Sequence, residues 1–155
     1  MADLTKLIRD DVTQERSGVR HLELSQRHRE WGVDCPATDI DCLVEIARGV
    51  PVAIIEYKRD TADLEQSLQS WRSLWILADK AKVAFFLAVW SRSAGEYAFR
   101  IHRANDRGMQ LIREHRGIDR QDETMSERDY VKFLYLIRDR DPRAVDDLQI
   151  FKGNR

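Results

Sequence analysis

The chain predicts a mixed α/β fold, a single sheet flanked by helices, from three successive patterns. Two short apolar segments around Arg48-Gly49 read as a hairpin, an amphipathic stripe follows, and then comes the continuous apolar run Val83 to Trp90. A strand pair, a helix and a buried strand in that order make the helix a crossover, right-handed, between two parallel strands of one sheet.

The elements follow from spacing. Leu4, Leu7, Ile8 and Val12 recur at helical intervals and predict a short N-terminal helix that stops near Ser17-Gly18. Residues 19–32 fit two readings: Leu22 and Leu24 alternate as in a short strand, and Ser25 to Trp31 suit a turn or two of helix ending at Gly32. The hairpin spans 39–58. Leu64, Leu68, Trp71, Trp75 and Ala78 then mark one stripe of a helix running to about Lys80. Val83 to Trp90 is the pattern of a strand covered on both faces. Tyr97, Phe99 and Ile101 alternate with Ala98, Arg100 and His102, as in a half-exposed strand nearer the edge. Ser126 with Asp129 opens a last helix in the manner of a capping box, Tyr130, Phe133, Leu134 and Ile137 form its apolar face, and Pro142 helps to end it.

Composition sets the class. With 155 residues, 43% hydrophobic and 34% charged, the chain reads as one domain over 1–155 that buries a core without staples. No run approaches the ~20 apolar residues of a membrane span and the N-terminus lacks a signal-peptide core, so a cytoplasmic protein with no membrane partner is expected. Cys35 and Cys42 form no disulfide framework and lack neighbours for a zinc site. The net charge of −1 argues against a strong nonspecific DNA binder. Arginine is nevertheless unevenly spread, with four arginines and one acid between Arg16 and Arg29, and seven arginines and four acids from Arg92 to Arg120. A gathered basic face and a dispersed, solvated set of arginines are both compatible with that distribution.

The hairpin carries the chemistry. Side chains alternate along a strand, so Glu56 and Lys58 share one face of the second segment, while Asp39, Asp41, Leu43 and Glu45 share a face of the first. A turn centred between Arg48 and Gly49 sets Asp41 opposite Glu56 and Asp39 opposite Lys58, with Cβ atoms of opposed residues ~5 Å apart. Two carboxylates at that distance repel unless a cation bridges them, and Mg²⁺ favours such oxygen ligands. The inference depends on register: a bulge beside Pro51 would shift it by one and turn Asp41 away. A Glu-x-Lys alone is common and usually a solvated ion pair. Here it ends an apolar strand, faces an acid on a paired segment and is followed at once by a helix.

These residues and their order resemble the PD-(D/E)xK nuclease superfamily, which includes restriction endonucleases, archaeal Holliday-junction resolvases and the nuclease domain of RecB-type helicases. The resemblance covers about Leu22 to Trp90, with Pro36-x-x-Asp39-x-Asp41 and Glu56-Tyr57-Lys58 as its core motif. The words Ser25-x-Arg27-His28-Arg29-x-Trp31-Gly32 and Asn105-Asp106-Arg107 also look like those of small uncharacterised phage and prophage proteins. The resemblance implies a restriction-endonuclease-like fold whose catalytic hairpin precedes a crossover helix. It implies Asp41, Glu56 and the Tyr57 carbonyl as ligands of Mg²⁺, with Mn²⁺ as a substitute, and Lys58 as the group that orients the attacking water. Asp39 is the alternative aspartate, since some members place the acid directly after the proline and Ala37-Thr38 intervene here. An upstream acid is also implied; Glu15, Glu23 and Glu30 are available, with Glu23 in front. Some members carry a glutamine on the following helix, where Gln66 and Gln69 stand, although the tyrosine that should follow is missing.

The expected activity is therefore metal-assisted hydrolysis of phosphodiester bonds in nucleic acid, DNA ahead of RNA, by an endonuclease. Arg27, His28 and Arg29 are candidate phosphate contacts. Trp71 and Trp75 could stack on bases, but their spacing with leucines favours a place in the core. Two other functions compete: a catalytically silent nucleic-acid-binding module of the same fold, and a phage-type protein that binds a host protein. Cutting two strands with one site per chain would favour a homodimer. A Gly-x-Ser-x-Gly elbow, a P-loop and a dinucleotide-binding glycine fingerprint are all missing from the sequence.

Overall fold

A computed structural model describes residues 43–65, 68–117 and 122–152. The expected N-terminal helix, the segment 19–32, both cysteines and the first part of the hairpin lie outside these residues. A mixed sheet runs in the order β1 (Leu43–Ala47), β2 (Val50–Arg59), β3 (Ala84–Ser93), β4 (Glu96–Ala104) and β5, a two-residue pairing at Met125–Ser126. The helices are α1 (Leu68–Ala81), α2 (Asp106–Arg116), α3 (Glu127–Ile137) and the short α4 (Gln149–Lys152). As expected, β1 and β2 are antiparallel, β2 and β3 are parallel, and α1 connects that parallel pair.

Both hairpin turns follow from backbone sterics. Arg48 (φ 51°) and Gly49 (φ 79°) turn β1 into β2, and Ala94 (φ 51°) and Gly95 (φ 86°) turn β3 into β4. Two central residues with positive φ define the tight turn whose twist matches that of the flanking strands, and a glycine in second place adopts it at little cost.

The hairpin register departs from the uninterrupted one. Ala47 pairs with Val50 and Ile46 with Pro51, but Glu45 then pairs with Ala53, Val44 with Ile54 and Leu43 with Ile55. Val52 is the extra residue of a bulge. It lies next to Pro51, which has no N–H to give to the ladder, so the interruption falls where pairing is weakest.

Alternation along the strands divides the core in two. On one face Ala53 and Ile55 of β2, Phe86 and Ala88 of β3 and Ile101 of β4 pack against Leu111 and Ile112 of α2 and Tyr130, Phe133 and Ile137 of α3. On the other face Ile54, Phe85 and Leu87 pack against Leu74 and Ala78 of α1, with Trp71 and Trp75 beside them. The two tryptophans are thus core flanks, as their spacing predicts: Trp75 meets Phe85 at 5.7 Å between ring centroids, and the Trp71 Nε1 donates to the Leu64 carbonyl at 3.2 Å.

Two helix boundaries differ from the sequence reading. Leu64, the first residue of the expected stripe, lies in a turn in which the Asp63 carboxylate accepts from the Glu65 N–H at 3.0 Å, and the described part of α1 begins at Leu68. α3 begins as expected, with the Ser126 hydroxyl oxygen accepting from the Asp129 N–H at 3.1 Å. It ends at Ile137, where Arg138 and Asp139 (φ 54°) form a turn, so Pro142 opens a 3₁₀ helix (Pro142–Asp147) instead of closing α3. Asp141 caps that 3₁₀ helix, and its hydrogen bonds from the Arg143 side chain and backbone hold its carboxyl below the usual range.

α2 has no counterpart in the sequence reading. Its position is fixed by Asn105, a buried side chain with all four hydrogen-bonding positions filled. The Asn105 Oδ1 accepts from the N–H of Phe85 (2.8 Å) and of Gly108 (2.9 Å), while its Nδ2 donates to the Asp79 carboxylate (2.7 Å) and to the Val83 carbonyl (3.0 Å). One amide therefore caps α2, pins the first residues of β3 and holds the end of α1. Gly108 allows this close approach, because a Cβ there would lie 2.7 Å from the Phe85 carbonyl oxygen.

Candidate functional site

Glu56 and Lys58 stand near the end of β2, beside Leu87 and Val89 of the parallel neighbour β3. Alternation puts them on the Ile54 side of the sheet, the side covered by α1, and puts Tyr57 on the side of Ile55. Glu56 is an exception in a strand interior of apolar residues, being only 5% exposed. A buried carboxylate is costly unless a cation or hydrogen-bond donor compensates it. Lys58 does so: its Nζ lies 2.6 Å from the Glu56 Oε1, and its side chain is 23% exposed. The carboxylate is thus held on a rigid strand, and the ammonium above it reaches towards solvent along its apolar stem.

Tyr57 contributes differently through its two ends. Its side chain is anchored on the opposite face, where its hydroxyl shares a 2.8 Å hydrogen bond with the Tyr130 hydroxyl. Its ring stands edge-on to Phe99 and to Tyr130. Fixing the side chain fixes the backbone between Glu56 and Lys58, where the carbonyl named as a metal ligand lies.

Asp41, Asp39, Glu23, Arg27, His28 and Arg29 fall outside the described residues, as do Glu15, Glu30 and Gln66. Gln69 belongs to α1. The described pairing of β1 reaches Leu43 and Ile55, one position short of Glu56, and the constant register used to place Asp41 opposite Glu56 does not hold between Glu45 and Ile46. Among the described residues no group of three or more His, Cys, Asp and Glu side chains comes together as a metal cage. Glu56 and the Tyr57 carbonyl are the described members of the proposed ligand set. Mg²⁺ is commonly held by one or two carboxylates with waters completing its shell, so Glu56 needs only one further acid to meet that requirement.

The sequence reading passed over a polar group on β4. The Arg100 guanidinium pairs with Asp122, and the His102 Nδ1 lies 3.1 Å from the Arg100 Nη1 and 3.6 Å from the same carboxylate. Arg100 pairs in register with Val89, which pairs in turn with Lys58, so Arg100 and Lys58 occupy one row of the sheet two strands apart. The half-exposed alternation of 97–102 was the available signal; the partner Asp122, twenty-two residues downstream, gave none.

The chain matches no family model, no curated protein and no solved structure.

Proposed function

We propose that the chain is a metal-dependent nuclease that hydrolyses phosphodiester bonds, with DNA the favoured substrate. The observation that carries this reading is the Glu56–Lys58 pair, a nearly buried carboxylate and a half-exposed ammonium 2.6 Å apart on one rigid strand. A carboxylate kept from water presents its oxygens to a hard cation without competition from solvent, and its burial strengthens that attraction. Mg²⁺, or Mn²⁺ in its place, supplies Lewis-acid stabilisation of charge on a phosphoryl oxygen and lowers the pKa of water. Glu56 and the Tyr57 carbonyl would hold the ion with Asp41, or with Asp39 in its place. Lys58, whose Nζ has three donors and spends one on Glu56, has the remainder to orient the attacking water or a phosphate oxygen. Cleavage of both strands of a duplex would take two copies of the chain.

The closeness of the same pair supports a second reading, a silent nucleic-acid-binding module of this fold. Lys58 already neutralises Glu56, and a self-contained ion pair has less need of a cation. Wild type and Lys58→Ala on labelled single-stranded, duplex, branched and RNA substrates separate the two. Cleavage by wild type in Mg²⁺ or Mn²⁺ that is lost in Lys58→Ala is the nuclease outcome. Intact substrates with both proteins refute it, and salt-sensitive binding that persists in EDTA then selects the silent module.

A further inference from the structure

The face of the sheet opposite Glu56 and Lys58 carries a graded series of aromatic rings. At its inner end the Phe99 and Tyr130 rings stack at 4.4 Å, nearly parallel, and Tyr130 is buried against the main core. Outward from there, Tyr97 stacks on Phe99 at 6.4 Å with 22° between planes, and Trp90 meets Tyr97 at 6.0 Å. Trp90 and Tyr97 are half-buried, so the series runs from core to surface. Two exposed arginines close the outer end: the Arg59 guanidinium sits 5.4 Å from the Trp90 ring centroid, and that of Arg92 sits 5.1 Å from Tyr97. Register requires this gathering, since Arg59 pairs with Trp90, Trp90 with Phe99 and Arg92 with Tyr97. Residues paired in register project to the same side.

We infer that Trp90, Tyr97, Arg59 and Arg92 form a stacking platform for single-stranded nucleic acid, separate from the Glu56–Lys58 pair. This deepens the reading above by taking nucleic acid as the partner, and it holds whether or not the chain cuts. Partly exposed rings and the guanidinium planes laid over them present flat surfaces on which unpaired bases stack, and stacking of that kind is tolerant of sequence. A guanidinium laid over a ring keeps its N–H groups at its edge, directed at the phosphates that accompany stacked bases. Neither arginine is ion-paired with a described carboxylate, so charge complementarity to a polyanion is available at the place where the rings emerge.

The test is fluorescence anisotropy of dye-labelled oligo-dT and oligo-U with the full chain in EDTA, where metal-dependent cutting cannot interfere. Wild type should bind both, more weakly as salt rises, with quenching of tryptophan emission that Trp90→Phe reduces. Tyr97→Ala should weaken binding about tenfold, in line with the loss of one stacked base. Arg59→Glu with Arg92→Glu should abolish it, and because both positions are exposed this variant keeps its fold, checked by circular dichroism. Charge reversal at the remote, exposed Arg143 should leave affinity unchanged. The inference is overturned if the oligonucleotides do not bind, as for a surface that meets a protein instead. It is equally overturned if the arginine reversals leave affinity intact, or if only substitution at Lys58 removes it.

Discussion

At the residue scale, Glu56 and Lys58 exemplify a charge pair whose halves are unequally buried. Deleting the ammonium strands the carboxylate in a nearly dry position, whereas neutralising the carboxylate leaves an ammonium that water can still reach. Lys58→Met should therefore cost roughly 1–3 kcal/mol, less than a fully enclosed pair would lose, and Glu56→Gln should cost less than that. Urea denaturation midpoints for the two single variants and for Glu56→Leu with Lys58→Met give the comparison. The apolar double variant should recover much of the Lys58→Met loss; if it is the least stable of the three, the pair is a stabilising bond and not a tolerated charge. These two residues were legible in the sequence because parity along a strand is local information. Their enclosure was not, since it depends on α1 and β3, which arrive later in the chain.

At the element scale, the sheet was readable and α2 was not. Continuous apolarity marked β3, alternation marked β4, and both lie within a residue or three of expectation. The sequence of α2, Asp106 to Arg116, has few apolar residues and a glycine in its first turns, so periodicity alone does not announce a helix. Asn105 and Gly108 make it one, through a cap and a close approach to β3 that only the folded chain reveals. Gly108→Ala separates propensity from packing. Alanine favours a helix by about 1 kcal/mol over glycine, but its methyl would meet the Phe85 carbonyl oxygen at 2.7 Å. Overpacking of that kind costs typically 1–3 kcal/mol, so thermal denaturation should show a less stable protein. A more stable variant would mean that β3 and α2 part easily. The bulge at Val52 was likewise hidden, because one extra residue changes register without changing the hydrophobic pattern on either side of it.

For the whole molecule, helices on both faces of a mixed sheet give Glu56 and the aromatic platform opposite sides of the same strands. No described helix is long and apolar enough to cross a membrane. A cation that binds the folded chain through Glu56 must raise its stability by mass action, whatever the substrate. Millimolar Mg²⁺ or Mn²⁺ should therefore raise the melting temperature of wild type by a few degrees and leave Glu56→Gln unmoved, as followed by differential scanning fluorimetry. Equal responses, or none, would remove the metal from the proposal. Asp41 and Asp39 were named from the sequence, and the bulge at Val52 removes the register argument that set Asp41 opposite Glu56, so its place in the ligand set rests on the resemblance alone.

Asn105 couples parts of the chain that are far apart in sequence. The backbone amides of Phe85 and Gly108 lean on the same oxygen atom, and the paired nitrogen secures the tail of α1. Fraying at any of the three junctions removes support from the other two at once. The end of one helix, the root of the central strand and the start of the next helix should therefore open and close together, and hydrogen exchange should show the amides of Phe85 and Gly108 with one shared protection.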